Sequence, residues 1–85
     1  MKERGFTEMT KKEMVINVLR EHSCLNGFEI KGFVYRMYGA TISPQAAAGV
    51  MRPLVEAGYA GKSPSPVNGK MVYWLTDYGK EQLFK

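Results

Sequence analysis

The chain has 85 residues, a formal net charge of +4 at pH 7 and a sequence isoelectric point near 9.3. This length supports one small domain with one hydrophobic core, and a hydrophobic content of 45% is ordinary for a folded protein. The mildly basic charge favours a polyanionic partner. The lone Cys24 excludes an intramolecular disulfide and fits a reducing cytoplasm.

Residues 1–9 mix charges with Gly5 and show no apolar period, which predicts a flexible N-terminal tail before one domain over residues 10–85. A signal peptide would require an apolar run after the initial charges, and the sequence has none there. No apolar segment approaches the length of a membrane span. We therefore expect a cytoplasmic protein with no membrane partner.

Two helices are predicted in the first half of the chain. Thr10 and Glu13 have capping-box spacing, and the apolar residues after them predict a first helix that ends near Glu21. Asn26 is the expected cap of a second helix, which ends at Gly39. The expected buried positions are Met14, Val15, Val18, Leu19, Ile30, Phe33, Val34 and Met37, with Tyr35 and Tyr38 packing beside them. Between the helices we expect a buried Cys24 thiol, and Leu25 is a candidate for a very short strand.

A third helix is predicted within residues 39–58. Ser43 is a good N-cap, Pro44 suits the first helical position, and Gly58 can take the left-handed conformation beyond the end. The apolar face consists of Ala47, Val50, Met51, Leu54 and Val55, and the opposite face of Gln45, Ala48, Gly49 and Arg52. Pro53 lies inside this helix, opposite the side-chain-free Gly49 four residues earlier, so we expect a local kink and not a break.

A β-hairpin is predicted after the third helix. Asn68-Gly69 favours a two-residue turn, which sets Val67 opposite Lys70, Pro66 opposite Met71 and Pro64 opposite Tyr73. Both prolines then occupy positions without ladder hydrogen bonds, so their strand must be an edge. Met71, Tyr73 and Leu75 are assigned to the core face. Thr76 is the expected cap of a closing helix that returns Leu83 and Phe84 to the core.

The order of these elements resembles a winged helix-turn-helix domain, an α+β fold with a three-helix core and a C-terminal β-hairpin wing. The third helix and its exit are similar to bacterial winged-helix regulators such as the multiple-antibiotic-resistance regulator family. The matching residues are Ser43, Ala47, Met51, Leu54, Glu56-Ala57-Gly58 and Tyr59. Leu75-Thr76 followed by Gly79 looks like the Leu-Thr-x-x-Gly segment that ends the wing in those families. The resemblance covers roughly residues 10–85.

This resemblance implies a sequence-specific double-stranded DNA-binding protein, a transcriptional regulator of bacterial or phage type. The third helix would enter the major groove, where Gln45 and Arg52 would read bases while Ala48 and Gly49 allow close approach. Thr41 and Ser43 would hold a phosphate at the helix start. Lys62, Asn68 and Lys70 would contact the flanking backbone from the wing. A monomer would bind weakly, so we expect a homodimer or a larger partner.

The alternative is a protein-interaction winged-helix module within a larger nucleoprotein assembly. The sparse charge on the third helix favours it, as would an exposed patch of Val72 and Trp74. Clustered basic potential over the third helix and wing would favour DNA instead. An enzyme, a cofactor and a metal site are not expected, because the chain has one His, one Cys and one Asp and no glycine-rich phosphate loop.

Overall fold

The computed structural model describes residues 9–84, which form an α+β domain with four helices and a three-stranded antiparallel sheet. In chain order the elements are α1 (Lys11–Glu21), β1 (Leu25–Asn26), α2 (Gly27–Tyr38), α3 (Pro44–Glu56), β2 (Ala60–Pro64), β3 (Met71–Leu75) and α4 (Asp77–Leu83). The predicted tail, residues 1–9, lies outside the described residues except for Met9, which packs partly buried against the core.

The predicted helix starts are confirmed by their capping hydrogen bonds. The Glu13 N–H donates to Thr10 Oγ1 at 3.1 Å, and the Thr10 N–H donates to Glu13 Oε1 at 2.8 Å. Asn26 and Glu29 form the same reciprocal pair at the start of α2. Each cap is typically worth about 1 kcal/mol because it satisfies backbone donors that have no partner inside the helix.

The hydrophobic core lies between α1, α2, α3 and the inner face of the sheet. Its buried members are Met14, Val15, Ile16, Val18, Leu19, Leu25, Ile30, Val34, Ile42, Ala47, Met51, Leu54, Ala60, Tyr73 and Leu75. On α2 the buried stripe is narrower than expected. Phe33 and Tyr38 are half-buried, while Tyr35 is 63% exposed and Met37 is 38% exposed, because α1 and α3 pack only on the Ile30 and Val34 side of this helix.

Cys24 is exposed, so the expectation of a buried thiol was wrong. Its φ is 60°, and it lies in the short connection between α1 and β1. Its side chain is therefore displaced from the core, while the next residue, Leu25, is buried and begins the short strand predicted from the sequence.

The helix α3 is continuous from Pro44 to Glu56, and Pro53 does not break it. A Cβ added at Gly49 would meet nothing within 4 Å. A side chain at this position would therefore point into open space. The helix ends as expected, with Gly58 in the left-handed region at a φ of 81°.

The sheet has the strand order β1-β3-β2, so β3 is central and β2 is an edge, as its proline predicts. The register differs from the prediction by two residues, because Pro64 pairs with Met71 and Lys62 pairs with Tyr73. A shift of two keeps each side chain on its face, so Tyr73 and Leu75 are buried as expected. Met71 was also assigned to the core, but it is 38% exposed, because it lies at the end of β3 next to the tip.

The register differs because the hairpin tip is longer than a two-residue turn. The Ser65 N–H donates to the Lys70 carbonyl, and the Gly69 N–H donates to the Ser65 carbonyl, both at 2.8 Å. A two-residue turn of the expected type needs Asn68 at positive φ, and within residues 9–84 Cys24 is the only non-glycine residue with positive φ. Pro66 instead supplies the φ of about −65° that suits the second residue of an ordinary turn.

The Leu-Thr-x-x-Gly segment connects the end of β3 to the residues after α3 through hydrogen bonds. The Thr76 hydroxyl donates to the Gly58 carbonyl at 2.8 Å and accepts from the Gly79 N–H at 2.9 Å, which caps α4. The Thr76 N–H donates to the Tyr59 carbonyl at 3.0 Å. A Cβ on Gly79 would overlap that carbonyl oxygen, so the close contact requires glycine.

This contact predicts that Gly79→Ala lowers the free energy of unfolding by about 2 kcal/mol or more, because a methyl group would separate α4 from the α3 exit. Gly32→Ala is the matched control, since a Cβ there meets nothing within 4 Å and alanine is the better helix former. It should raise the free energy of unfolding by about 0.5–1 kcal/mol. Urea denaturation measures both changes, and equal stability of the two variants would contradict the contact.

Candidate nucleic-acid interface

One face of the helix α3 is buried in the core, and the opposite face is exposed to solvent; we call the latter the presented face. Ala47 and Met51 are fully buried and Leu54 is nearly so, whereas Gln45, Gly49 and Arg52 are exposed. Ala48 is half-buried at the border between the two faces. The presented face is slim, since two of its residues have one side-chain carbon or none, and Arg52 is its single cation.

The turn before α3 fixes where this face begins. Gly39 ends α2 in the left-handed region with a φ of 68°, and Ile42, which is 4% exposed, anchors the turn in the core. A Cβ on Gly27 would lie 3.2 Å from the Pro44 Cβ, so the starts of α2 and α3 approach closely. This packing leaves Thr41 and Ser43 exposed beside the first turn of α3.

Ser43 is the N-cap of α3, as predicted, and its Oγ accepts from the Ala46 N–H at 3.0 Å. A serine hydroxyl also has one hydrogen to donate and a second lone pair. The capping bond therefore leaves the hydroxyl hydrogen available for an anionic oxygen. Thr41 lies in the same turn and carries a second exposed hydroxyl.

The wing, which we define as the β2–β3 hairpin with its tip, carries Lys62, Asn68 and Lys70 on exposed positions. The Asn68 Oδ1 accepts from the Lys70 N–H at 2.9 Å, so the side-chain oxygen stabilises the tip and the amide NH₂ remains as a donor. The Lys70 Nζ lies 4.9 Å from the centroid of the Phe28 ring at the start of α2. This places the cation near the helices and not at the far end of the wing.

A hollow of about 290 Å³ lies between the starts of α2 and α3 and the first residues of β3, next to the tip of the wing. It is lined by Asn26, Gly27, Phe28, Pro44, Gln45, Ala48, Lys70, Met71 and Tyr73. Three of the predicted site residues therefore meet at one place: Gln45, Ala48 and Lys70. The hollow is not lined by Gly49, Arg52, Lys62 or Asn68. Ser43 does not line it either, but it directly precedes Pro44, which does.

A second hollow on α2 extends this surface and includes residues that the sequence argument missed. It is lined by Phe28, Lys31, Gly32, Tyr35 and Thr41, so Phe28 belongs to both hollows. The signal was present in the spacing, because Phe28, Lys31 and Tyr35 recur at three- and four-residue intervals on a face that excludes Ile30 and Val34.

The charged side chains of residues 9–84 are all outside the core. In the same range, no three His, Cys, Asp or Glu side chains are grouped so that they could hold a metal ion. None of the described helices is both long and apolar enough to cross a membrane.

Comparison with solved structures identifies the fold class. A cysteine-to-serine mutant of MarR from E. coli superposes with a TM-score of 0.68 at 19% identity, covering 89% of this chain and 53% of MarR. The wild-type apo form gives 0.66 at 19% identity, with 88% and 53% covered. TA0346 from Thermoplasma acidophilum gives 0.64 at 21% identity, with 82% and 72% covered.

The predicted winged helix-turn-helix fold is therefore confirmed. The chain spans about half the length of the MarR chains that it resembles. No protein-family model matches the sequence, and comparison with curated proteins gives no match.

The cap of α3 gives a test of the local geometry. Ser43→Ala should lower the free energy of unfolding by about 1 kcal/mol, because the Ala46 N–H loses its acceptor. Thr41→Ala removes a hydroxyl from the same exposed turn without removing a cap, so it should change stability by no more than about 0.5 kcal/mol. Urea denaturation of the two variants provides the comparison, and a larger loss in Thr41→Ala would contradict the assignment of Ser43 as the cap.

Proposed function

We propose that this domain binds double-stranded DNA in a sequence-specific manner as a transcriptional regulator of bacterial or phage type. In this proposal α3 enters the major groove and the wing contacts the flanking backbone. The observation that carries it is the geometry of α3, whose buried face is fixed in the core while its slim face lies beside Lys70 of the wing. A cytoplasmic location and the absence of a cofactor are parts of the same proposal.

The presented face of α3 fits a DNA groove by size and by chemistry. Ala48 and Gly49 allow the helix backbone to approach base edges closely. Gln45 and Arg52 are seven residues apart, or about 10 Å along the helix axis. That separation corresponds to about three base pairs at 3.4 Å each. Glutamine can bond the adenine edge twice and arginine the guanine edge twice, so two positions of a site can be read.

The residues around α3 fit contacts to phosphate. The Ser43 hydroxyl hydrogen and the Thr41 hydroxyl lie at the start of α3, where the helix dipole favours an anion. Lys62, Asn68 and Lys70 supply donors from the wing. Contacts of this kind fix position and produce salt dependence, whereas base contacts determine sequence choice.

The structural neighbours and the charge agree with this proposal. TA0346 is designated a candidate transcriptional regulator, and the net charge of +4 favours a polyanion. We further propose that two copies of the chain act together, because dimers of helix-turn-helix domains read two half-sites and so gain the affinity that one small interface lacks.

A second candidate function is docking of another protein, and one observation favours it. Phe28 is 59% exposed and Tyr35 is 63% exposed, both on α2. The patch that the sequence suggested is different, since Val72 and Trp74 are half-buried, and a Cβ on Gly61 would lie 2.5 Å from the Trp74 ring. DNA remains the better supported partner, because Lys31 and Lys70 flank the aromatic surface.

Two substitutions separate base reading from phosphate contact. Arg52→Ala should weaken binding to a selected duplex by about 1–3 kcal/mol and relax base choice at one position. Lys70→Gln should weaken all duplexes alike and reduce the slope of log affinity against log salt by about 0.9. Fluorescence anisotropy on the selected and a scrambled duplex at several salt concentrations measures both effects.

Lys12→Gln is the control for loss of one positive charge, since Lys12 lies exposed on α1 and lines neither hollow of the candidate interface. It should change affinity less than Lys70→Gln does. If Arg52→Ala and Lys70→Gln both bound a randomised pool like the parent chain, insertion of α3 into the groove would be wrong.

Substitutions at Gly49 separate folding from binding. A side chain here points into open space, so Gly49→Ala should raise the free energy of unfolding by about 0.5–1 kcal/mol. Gly49→Glu should leave the domain folded but abolish DNA binding, because its bulk and negative charge would lie between α3 and the groove. Thermal unfolding and anisotropy measure the two properties, and tight binding by folded Gly49→Glu would contradict the proposed orientation of α3.

A further inference from the structure

We propose that the hollow shared by α2, α3 and the wing receives the 5-methyl group of a thymine, so that Phe28, Ala48 and Met71 help to select an A·T base pair. This inference rests on the proposed DNA-binding function and adds a base preference to it. It also gives a role to Phe28, which is not among the site residues predicted from the sequence.

The walls of the hollow are apolar and open to solvent. Phe28 is 59% exposed and Met71 is 38% exposed, and both line the hollow. Ala48 and Pro44 of α3 complete the apolar lining. Exposed apolar side chains that converge on one place are unfavourable in water unless a ligand covers them. A methyl group on a base edge is an apolar group of suitable size.

The polar group beside these walls specifies the rest of the base pair. Gln45 lines the same hollow and lies three residues before Ala48, so the two share one face of α3. In the major groove an A·T pair presents the adenine N7 and N6 next to the thymine O4 and methyl group. A glutamine amide can bond the adenine edge while an adjacent apolar wall contacts the methyl group. The two features therefore recognise the same pair or neighbouring pairs.

The charges around the hollow fit a base edge flanked by phosphate. Lys70 is the only cation among the lining residues that the structure describes, and no carboxylate is among them. The Lys70 Nζ lies 4.9 Å from the Phe28 ring centroid. The adjacent Glu29 carboxylate accepts from the Asn26 N–H at 2.9 Å and is directed back to the start of α2. The lining thus combines apolar side chains that suit a methyl group with one cation that suits a nearby phosphate.

Deoxyuridine provides a direct test, because it differs from thymidine only by the absent methyl group. Binding sites are first selected from a random duplex pool with the parent chain. In the best duplex, each thymine is then replaced singly by deoxyuridine. We expect an A·T pair in the selected site, and a loss of about fourfold in affinity at one thymine, which is the value of one buried methyl group.

The variants assign that loss to the hollow. Phe28→Ala should bind the thymine and deoxyuridine duplexes with nearly equal affinity, since the wall that contacts the methyl group is gone. Tyr35→Ala is the matched control, because it removes an equally exposed aromatic ring from the same helix but does not line this hollow. It should retain the fourfold loss. Circular dichroism confirms that both variants remain folded.

The possible results distinguish this inference from the proposed function. If the parent chain binds no duplex, the proposed function fails and this inference fails with it. If it binds a selected duplex but tolerates deoxyuridine at every position, thymine recognition is wrong while DNA binding stands. If Phe28→Ala shows the same fourfold loss as the parent, the methyl group is read elsewhere and the assignment to the hollow is overturned.

Discussion

The hydrogen bonds of Thr76 join the exit of α3 to the end of the central strand β3. The hydroxyl of this residue joins the Gly58 carbonyl at the exit of α3 to the Gly79 N–H at the start of α4. Its backbone N–H donates to the carbonyl of Tyr59, the residue after Gly58. Because β3 is the central strand, its position also sets the positions of β1 and the wing. These bonds therefore join the exit of α3 to the wing, and the proposed DNA contacts depend on the relative positions of these two elements.

The sequence predicts those features that depend on neighbouring residues. A cap requires one side chain and a backbone donor three residues later, so Thr10, Asn26 and Ser43 were identified correctly. The edge position of β2 also follows from a single residue, since a proline cannot donate to a central strand. The hairpin register did not follow, because Asn68-Gly69 indicates one turn while Pro66 and Ser65 stabilise a longer one. The two local signals favour turns of different length, and the sequence alone does not show which turn is the more stable.

The site was predicted only in part because its residues come from three separate elements. Gln45 and Ala48 were identified from the face of α3, a pattern within one helix. Phe28 meets them because the starts of α2 and α3 pack closely at Gly27, and this contact is not visible in either helix alone. Lys70 was expected on the wing, but its position over the Phe28 ring depends on where the hairpin tip leaves the sheet.

The presented face of α3 carries only one positive charge, and this limits how the domain could gain affinity for DNA. With one cation on the presented face, the proposed phosphate contacts come mainly from the turn before α3 and from the lysines around it, Lys31, Lys62 and Lys70. Two or three neutralised phosphates correspond to a salt slope of about −2 to −3 for each copy. That is a small electrostatic contribution, so a single copy depends on shape and apolar contact for most of its discrimination. In the proposed pairing, a second copy would double the number of phosphate contacts while the presented face of α3 stays the same, and so would compensate for the sparse charge.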